Sequence, residues 1–376
     1  MNFFVLEYIQ GVIMMKILAA FDSFKESMTA YAAGEAVQRA YNNVHICPLA
    51  DGGEGTMEVM NRYLHGDIHE IEVAGPLFKT VHAKLAIMDD LAIIESAQAC
   101  GLDYLAEEEK NGTEATSYGV GEMMKYAYDH GVKRFLLTLG GSACNDGGIG
   151  LLSGMGYGFF DQFDQRIPMN ARGLETLDHI KKTRLDLSNI EVEGACDVTN
   201  PLCGKEGATY VFGPQKKVKD LEKTDQAMKH YAKIMSELVD KDDSCVPGAG
   251  AAGGMGYATV TGLNGKLVTG FDAVSRTVHL EEAIQKADII FTGEGKMDHQ
   301  TLYGKTPIGV LRLAQKYNKP VVAFCGKCED KEVLLEVGFE DVRCINHTDE
   351  PLSVLLEKGP QYLEEEVRRY LEEKNV

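Results

Sequence analysis

Short apolar runs near the two ends of the chain, most of them running into a glycine or a carboxylate, constrain this sequence most. Lys16–Phe21 (KILAAF) ends at Asp22, and Val44–Leu49 ends at Ala50-Asp51-Gly52-Gly53-Glu54-Gly55. Towards the other end, Ala287–Thr292 (ADIIFT), Pro320–Cys325 (PVVAFC) and Asp341–Asn346 (DVRCIN) repeat the pattern. Short uninterrupted apolar runs suit strands buried on both faces of a parallel sheet. Helical stretches separate them: one from Ala30 through Ala40, with Thr29 placed as its N-cap, and one over Thr56–Leu64. Strand, polar turn and helix in alternation spell an α/β architecture.

The middle of the chain reads differently. After Gly75-Pro76, the runs Thr80–Met88 and Leu91–Ser96 are joined by Asp89-Asp90 and read as a hairpin. A helix over about Gly119–His130 leads into a strand at Arg134–Leu139, and a polar helix spans Asp220–Val239. Alike ends around an unlike middle predict a Rossmann-like (flavodoxin-like) parallel-sheet domain formed by both chain ends, 1–75 and 287–376. A second α/β domain, 76–286, is then inserted into it. The length of 376 residues accommodates two such domains.

A formal net charge of −19 argues against nucleic acid and anionic membranes as general partners. It does not exclude an anionic small molecule, which needs only local cations, backbone N–H groups or a metal. Nine cysteines without framework spacing fit reduced thiols and a cytoplasmic setting. No apolar stretch reaches the length of a membrane span. Met1–Met14 is apolar without the basic start of a signal peptide. It reads as an extra segment or as the product of an upstream start codon; the second is preferred because a strand starting at Met15 needs nothing before it.

Five clusters of glycine and polar residues follow expected strands: Asp22–Ser27, Asp51–Gly55, Gly140–Gly148, Asp197–Gly204 and Gly293–Gln300. Ligands of open α/β sheets bind outside the carboxyl ends of the strands. One such loop is an ordinary connection, whereas five carboxylate-bearing loops point to a site. Gly140-Gly141-Ser142-Ala143-Cys144-Asn145-Asp146-Gly147-Gly148 is the richest. Its glycines allow close approach of an anion, and Ser142 and Asn145 can donate to phosphate oxygens. Asp197 stands at a strand end, where a carboxylate can deprotonate a substrate hydroxyl or merely cap a turn. The paired Lys216-Lys217 add cations further along. Glu294 and Asp298, flanking Lys296, suit Mg²⁺ or an ion-paired surface loop.

Other motifs carry less. Gly248-Ala249-Gly250-Ala251-Ala252-Gly253 spells G-x-G-x-x-G, but charged Asp240–Ser244 lies upstream where a strand is required. It reads as a glycine-rich helix start packed against another backbone. Gly304-Lys305-Thr306 resembles the end of a Walker A loop, yet His299 stands where its earlier glycine belongs. Cys325-Gly326-Lys327-Cys328 is a single C-x-x-C, read as incidental. No H-E-x-x-H or G-x-S-x-G motif is present.

Taken together, the loops resemble the glycerate kinase family that has a Rossmann-like domain with a second domain inserted. The matching stretches begin with DSFKES (Asp22–Ser27), PLADGGEGT (Pro48–Thr56), GPL (Gly75–Leu77) and ATSYGVGE (Ala115–Glu122). GGSACNDGGIG (Gly140–Gly150), ACDVTNPLCG (Ala195–Gly204) and FGPQK (Phe212–Lys216) follow. PGAGAAGG (Pro247–Gly254) and TGEGKMDHQTLYGKTP (Thr292–Pro307) complete the set, in family order. Departures are Phe21 in place of the usual Pro, Cys144 in place of a common Thr, and Lys110-Asn111-Gly112 in place of Asn-Pro-Leu.

The resemblance implies phosphorylation of D-glycerate by ATP with Mg²⁺, in a cleft between the domains. On that footing Asp197 is the expected base for the glycerate hydroxyl. Lys25 and Lys296 are expected to stabilise carboxylate or phosphate charge. Asp22, Ser23 and Lys25 are the substrate-binding candidates. Gly140, Gly141, Ser142, Asn145, Asp146, Gly147, Gly148, Gly293 and Gly295 are the ATP and phosphate candidates. Asp51, Glu54, Glu294 and Asp298 compete for Mg²⁺. Two rival functions remain at this point: a nicotinamide-dependent oxidoreductase acting on a small hydroxy acid, and a non-catalytic protein sensing a carboxylate or nucleotide.

Overall fold

The computed structural model describes residues 7–9, 12–53, 55–298, 301, 306–347 and 350–375. The chain divides into two compact units. One comprises Met1–Asp51, Glu58–Tyr63 and Phe271–Val376; the other comprises Gly52–Met57 and Leu64–Gly270.

The first unit is built on five parallel strands. Across the sheet they run Asp341–Cys344, Val321–Cys328, Ile289–Met297, Ile17–Phe21 and Val44–Ile46. Numbered along the chain, that is the order 2-1-3-4-5 of flavodoxin-like sheets. Every residue of Ile17–Phe21 is buried, as a central strand covered on both faces requires. The helix Ala30–Ala40 starts where the Thr29 side chain accepts a hydrogen bond from the Ala32 amide at 3.2 Å. It buries Ala33, Ala36 and Val37 in the same core as Leu363, Val367 and Tyr370 of the helix Gly359–Glu373. Phe291 meets Phe324 and Tyr370 edge to face, with ring centroids 5.1 and 5.5 Å apart.

Two strands of this sheet outrun their expected ends. Gly293–Met297, read from sequence as loop, continues the strand Ile289–Met297, and Cys325–Cys328 continues its neighbour. The two extensions sustain each other, with Lys296 beside Lys327 and Met297 beside Cys328.

The second unit holds a six-stranded mixed sheet. Its order is Lys266–Val268, Glu191–Ala195, Arg134–Thr138, Leu91–Glu95, Thr80–Met88 and Asp67–Ala74. The first four strands are parallel. The hairpin of Thr80–Met88 with Leu91–Glu95 is antiparallel, as its sequence predicts, and Asp67–Ala74 adds an antiparallel edge. The polar helix is present as Leu221–Val239, capped by Asp220, whose carboxylate accepts from the Lys223 amide. It buries Met228, Tyr231 and Met235 in a core shared with Phe159 and Tyr257. Among the described residues, no helix is long and apolar enough to cross a membrane.

Candidate active site

In the first unit the candidate residues gather where strand order reverses. That point lies between Ile17–Phe21 and Ile289–Met297, whose carboxyl ends open the crevice used by ligands in such sheets. The Asp22 amide donates to the Gly293 carbonyl at 3.0 Å, which ties the turn after the first strand to the neighbouring strand Ile289–Met297. Gly295 lies beside the turn at Phe24-Lys25, and a Cβ there would meet it at ordinary contact distance. The Asp22 carboxylate accepts from the Thr306 hydroxyl and from the Ser23 amide, both at 2.6 Å. Thr301 likewise donates to Glu294 at 2.9 Å.

Burial, then the carboxylates of Asp51 and Glu294, push the Asp22 carboxyl up to about 7 against the hydrogen bonds that favour its ionised form. Ser23 and Lys25 are exposed beside it. Lys296 is exposed and already paired, with Asp298 and with Glu329 at 2.9 Å each. Among the described residues no three His, Cys, Asp or Glu side chains form a ready metal cage. Mg²⁺ does not need one, because it commonly binds one or two carboxylates together with phosphates and water. A cation would relieve the repulsion that Asp51 and Glu294 exert on Asp22. Of the expected ligands Asp51, Glu54, Glu294 and Asp298, Glu54 lies outside the described residues, as do Gly304 and Lys305. Thr306 begins the helix Thr306–Gln315.

The glycine loop of the second unit follows the strand Arg134–Thr138. Gly140 is half-buried and Gly141 exposed, whereas Ser142 through Gly148 are buried. Neighbouring chain holds the loop from behind. Ser96 donates to the Gly140 carbonyl (3.2 Å), Leu102 N–H to that of Gly141 (2.9 Å), and Ala143 N–H to that of Cys100 (2.7 Å). Asp146 is fully buried. Its carboxylate accepts from the Ser117 amide and hydroxyl at 2.8 Å, and from the amides of Gly148 and Gly150 at 3.0 and 3.3 Å. Burial pushes this carboxyl up and those four donors oppose the shift. Asn145 donates to Thr209 at 2.9 Å. The side chains of Asn145 and Asp146 thus serve the loop's interior, and the face open to solvent is Gly140-Gly141.

The Gly248–Gly253 motif packs against this same loop. No strand precedes it. The Gly253 carbonyl accepts from the Gly147 amide at 2.9 Å, and a Cβ on Gly253 would collide with the Cys144 carbonyl oxygen. A Cβ on Gly254 would stand 2.5 Å from the Gly147 Cα. These glycines bring two backbones together, which leaves no room there for a dinucleotide's pyrophosphate. Asp197 follows the strand Glu191–Ala195, is exposed, and accepts from the Gly270 amide at 3.0 Å.

Sequence reasoning assigned no role to Thr301, Thr306, Ser117 or Thr209. The two former lie inside the quoted stretch Thr292–Pro307. The two latter serve carboxylate and amide groups 29 and 64 residues away, beyond the reach of local pattern.

Comparison with known proteins agrees with this geometry. The glycerate kinase family model matches residues 17–373. A glycerate kinase of Haemophilus influenzae is 40% identical over 93% of this chain and 96% of its own length. One from Halalkalibacterium halodurans is 36% identical over 94% and 97%. The Escherichia coli protein named glycerate 2-kinase is 38% identical over 84% and 86%. A crystal structure from Salmonella typhimurium, of a protein assigned as glycerate kinase 2, superposes with a TM-score of 0.88 at 37% identity, covering 96% of this chain and 98% of that one. With a family match that spans nearly every element of both units, the chain belongs to the glycerate kinase family.

Proposed function

We propose that this protein transfers the terminal phosphoryl group of ATP to D-glycerate, and that the product is 2-phosphoglycerate. One observation carries the reading beyond family membership. The motif stretches of both units gather towards the carboxyl ends of parallel strands: Asp22 and Asp51 follow two strands of one sheet, with Gly293–Glu294 within a third strand beside Asp22, and Gly140–Ser142 and Asp197 follow strands of the other. The 2-position follows the name of the Escherichia coli relative.

In this reading Gly140, Gly141 and Ser142 meet the phosphates of ATP. Asn145, Asp146, Gly147 and Gly148 keep that loop in shape from within. Gly293 and Gly295 let the backbone of the other loop approach the nucleotide. Asp22, Ser23 and Lys25 receive glycerate, with Lys25 answering its carboxylate, and Lys296 supplies further positive charge. Asp197 takes the proton of the glycerate hydroxyl as that oxygen attacks phosphorus. Asp51 and Glu294, with Glu54 and Asp298 as further candidates, would hold Mg²⁺, which supplies neutralising charge on the phosphates when bound. Phosphoryl transfer asks a protein mainly for positioning and charge stabilisation, and these parts provide both. Such an enzyme acts on soluble metabolites, in keeping with a cytoplasmic setting.

A coupled ADP-release assay with ATP, Mg²⁺ and D-glycerate tests the activity, with L-glycerate and tartronate in parallel. Turnover is expected with D-glycerate, and phosphorus NMR should show the 2-phosphate. No turnover with any of the three acids, from folded protein that binds ATP, would reject the substrate. A 3-phosphate signal would reject the position alone.

A further inference from the structure

Lys216 is a buried cation with an unusual pair of partners. Its side chain is 3% exposed, and among the described residues no carboxylate pairs with it. Its ammonium donates to the Ser142 hydroxyl oxygen at 2.9 Å and to the Cys144 carbonyl at 2.7 Å, both in the glycine loop. Its own carbonyl accepts from the Gly112 amide at 2.7 Å, and a Cβ on Gly112 would come within 2.9 Å of the Lys216 Cβ. The chain therefore closes tightly around this residue from a second side. Burial disfavours the charged form of this ammonium, and nearby buried groups, Asp146 among them, oppose that only in part. Packing alone would be better served by an apolar side chain.

The direction of the Ser142 bond shows what the charge can do. An ammonium has three N–H donors and no lone pair. The Ser142 oxygen must therefore accept, and its own proton must point elsewhere. Among the described residues nothing accepts that proton, although Ser142 is 3% exposed. A hydroxyl that accepts from a cation is polarised, and so becomes a stronger donor. The next residue along, Gly141, faces solvent.

We infer that Lys216 is a positioning residue for ATP: its ammonium fixes and polarises the Ser142 hydroxyl as a donor to a phosphate oxygen of the nucleotide. The inference rests on the proposed contact between Gly140–Ser142 and ATP. Lys216 itself stays beneath the loop and acts through Ser142.

Steady-state kinetics on the full chain test it. Lys216→Met keeps the length and removes the charge; it should raise the KM for ATP at least about tenfold, the worth of a charge-assisted hydrogen bond. The KM for D-glycerate should stay within about twofold, a split that general loosening of the fold would not produce. Ser142→Ala should likewise raise the ATP KM. The double variant should be no worse than Ser142→Ala alone, because contacting groups that act in series do not add. Additive losses, or an unchanged ATP KM in folded Lys216→Met, overturn the inference. If Lys216→Met does not fold, ¹⁵N-lysine spectra of the unaltered protein decide. The slowly exchanging buried ammonium signal should shift with ADP and not with D-glycerate, and no shift with ADP overturns the inference. Gly141→Val separates the two levels of the argument. If it and Ser142→Ala both leave the ATP KM unchanged, the loop does not hold ATP and both ideas fall. If they raise it while Lys216→Met does not, only the role of Lys216 falls.

Discussion

The two loop systems solve opposite problems. The glycine loop of the second unit is finished before any ligand arrives: Asp146 has four donors, the Gly140 and Gly141 carbonyls are held, and Gly253 seals the back. The acidic loops of the first unit are unfinished at Asp22. The carboxylates of Asp51 and Glu294 oppose its ionised form, and the Thr306 hydroxyl does part of what a cation would do better. A rigid donor surface suits phosphate oxygens, whose charge must be met without reorganisation. A strained carboxylate set suits a metal or a proton, which it binds by relieving its own repulsion. The first system is expected to be damaged by steric change, the second by change of charge.

The largest effect should come from the seal behind the glycine loop. Gly253 has φ of 71° and no space for a Cβ beside Cys144. Gly253→Ala should cost about 3–5 kcal/mol, combining the left-handed conformation with a backbone clash. Urea denaturation measures it, and the ATP KM should rise in parallel wherever the variant stays folded. A variant as stable as the unaltered protein would mean that the loop yields easily, and the contrast drawn above would be broken.

Asp197 cuts across the comparison. It belongs to the second unit and presents an exposed carboxylate, one oxygen of which accepts from the Gly270 amide. If it is the base, Asp197→Asn should lower kcat at least about a hundredfold while the melting temperature scarcely changes. Near-normal turnover would move the proton's destination to the other unit, where Asp22 is the carboxyl already raised towards neutrality.

Much of this was legible in the sequence, and what was not has identifiable causes. Caps and periodicity mark the helix Ala30–Ala40, the helix Thr56–Leu64 and the strand Thr80–Met88 at their observed ends. Asp67–Ala74 escapes because an edge strand with charged outward residues looks like a polar connection. The extension Gly293–Met297 escapes because pairing with Gly326–Cys328, not its own composition, makes it strand. At the site, residue types were readable but directions were not. Asn145 and Asp146 sit between glycines like phosphate ligands, and only distant Ser117 and Thr209 reveal that they turn inward. Lys216 was visible as a cation in FGPQK, but its burial under Ser142 is a product of tertiary packing.

The smallest effect expected is also the most direct test of the unfinished charge in the first unit. Asp22 titrates near 3.8 when unfolded and at about 7 in the fold. The native state therefore holds this proton more tightly, so the stabilising contribution is complete below the unfolded value. It is lost as pH rises through about 4 to 7 and is absent above that. Discounted for partial exposure, the loss is on the order of 2 kcal/mol. Asp22→Asn carries no such charge and should lack this part of the pH dependence. Without metal, it should gain about 2 kcal/mol relative to the unaltered protein between pH 5 and pH 8. Urea melts at the two pH values read the difference. Millimolar Mg²⁺ at pH 8 should shrink the gap by stabilising only the protein that keeps Asp22. Parallel pH profiles for the two proteins would mean that Asp22 stays ionised in the fold over this range, its charge already met by its partners. The first unit would then be as finished as the second.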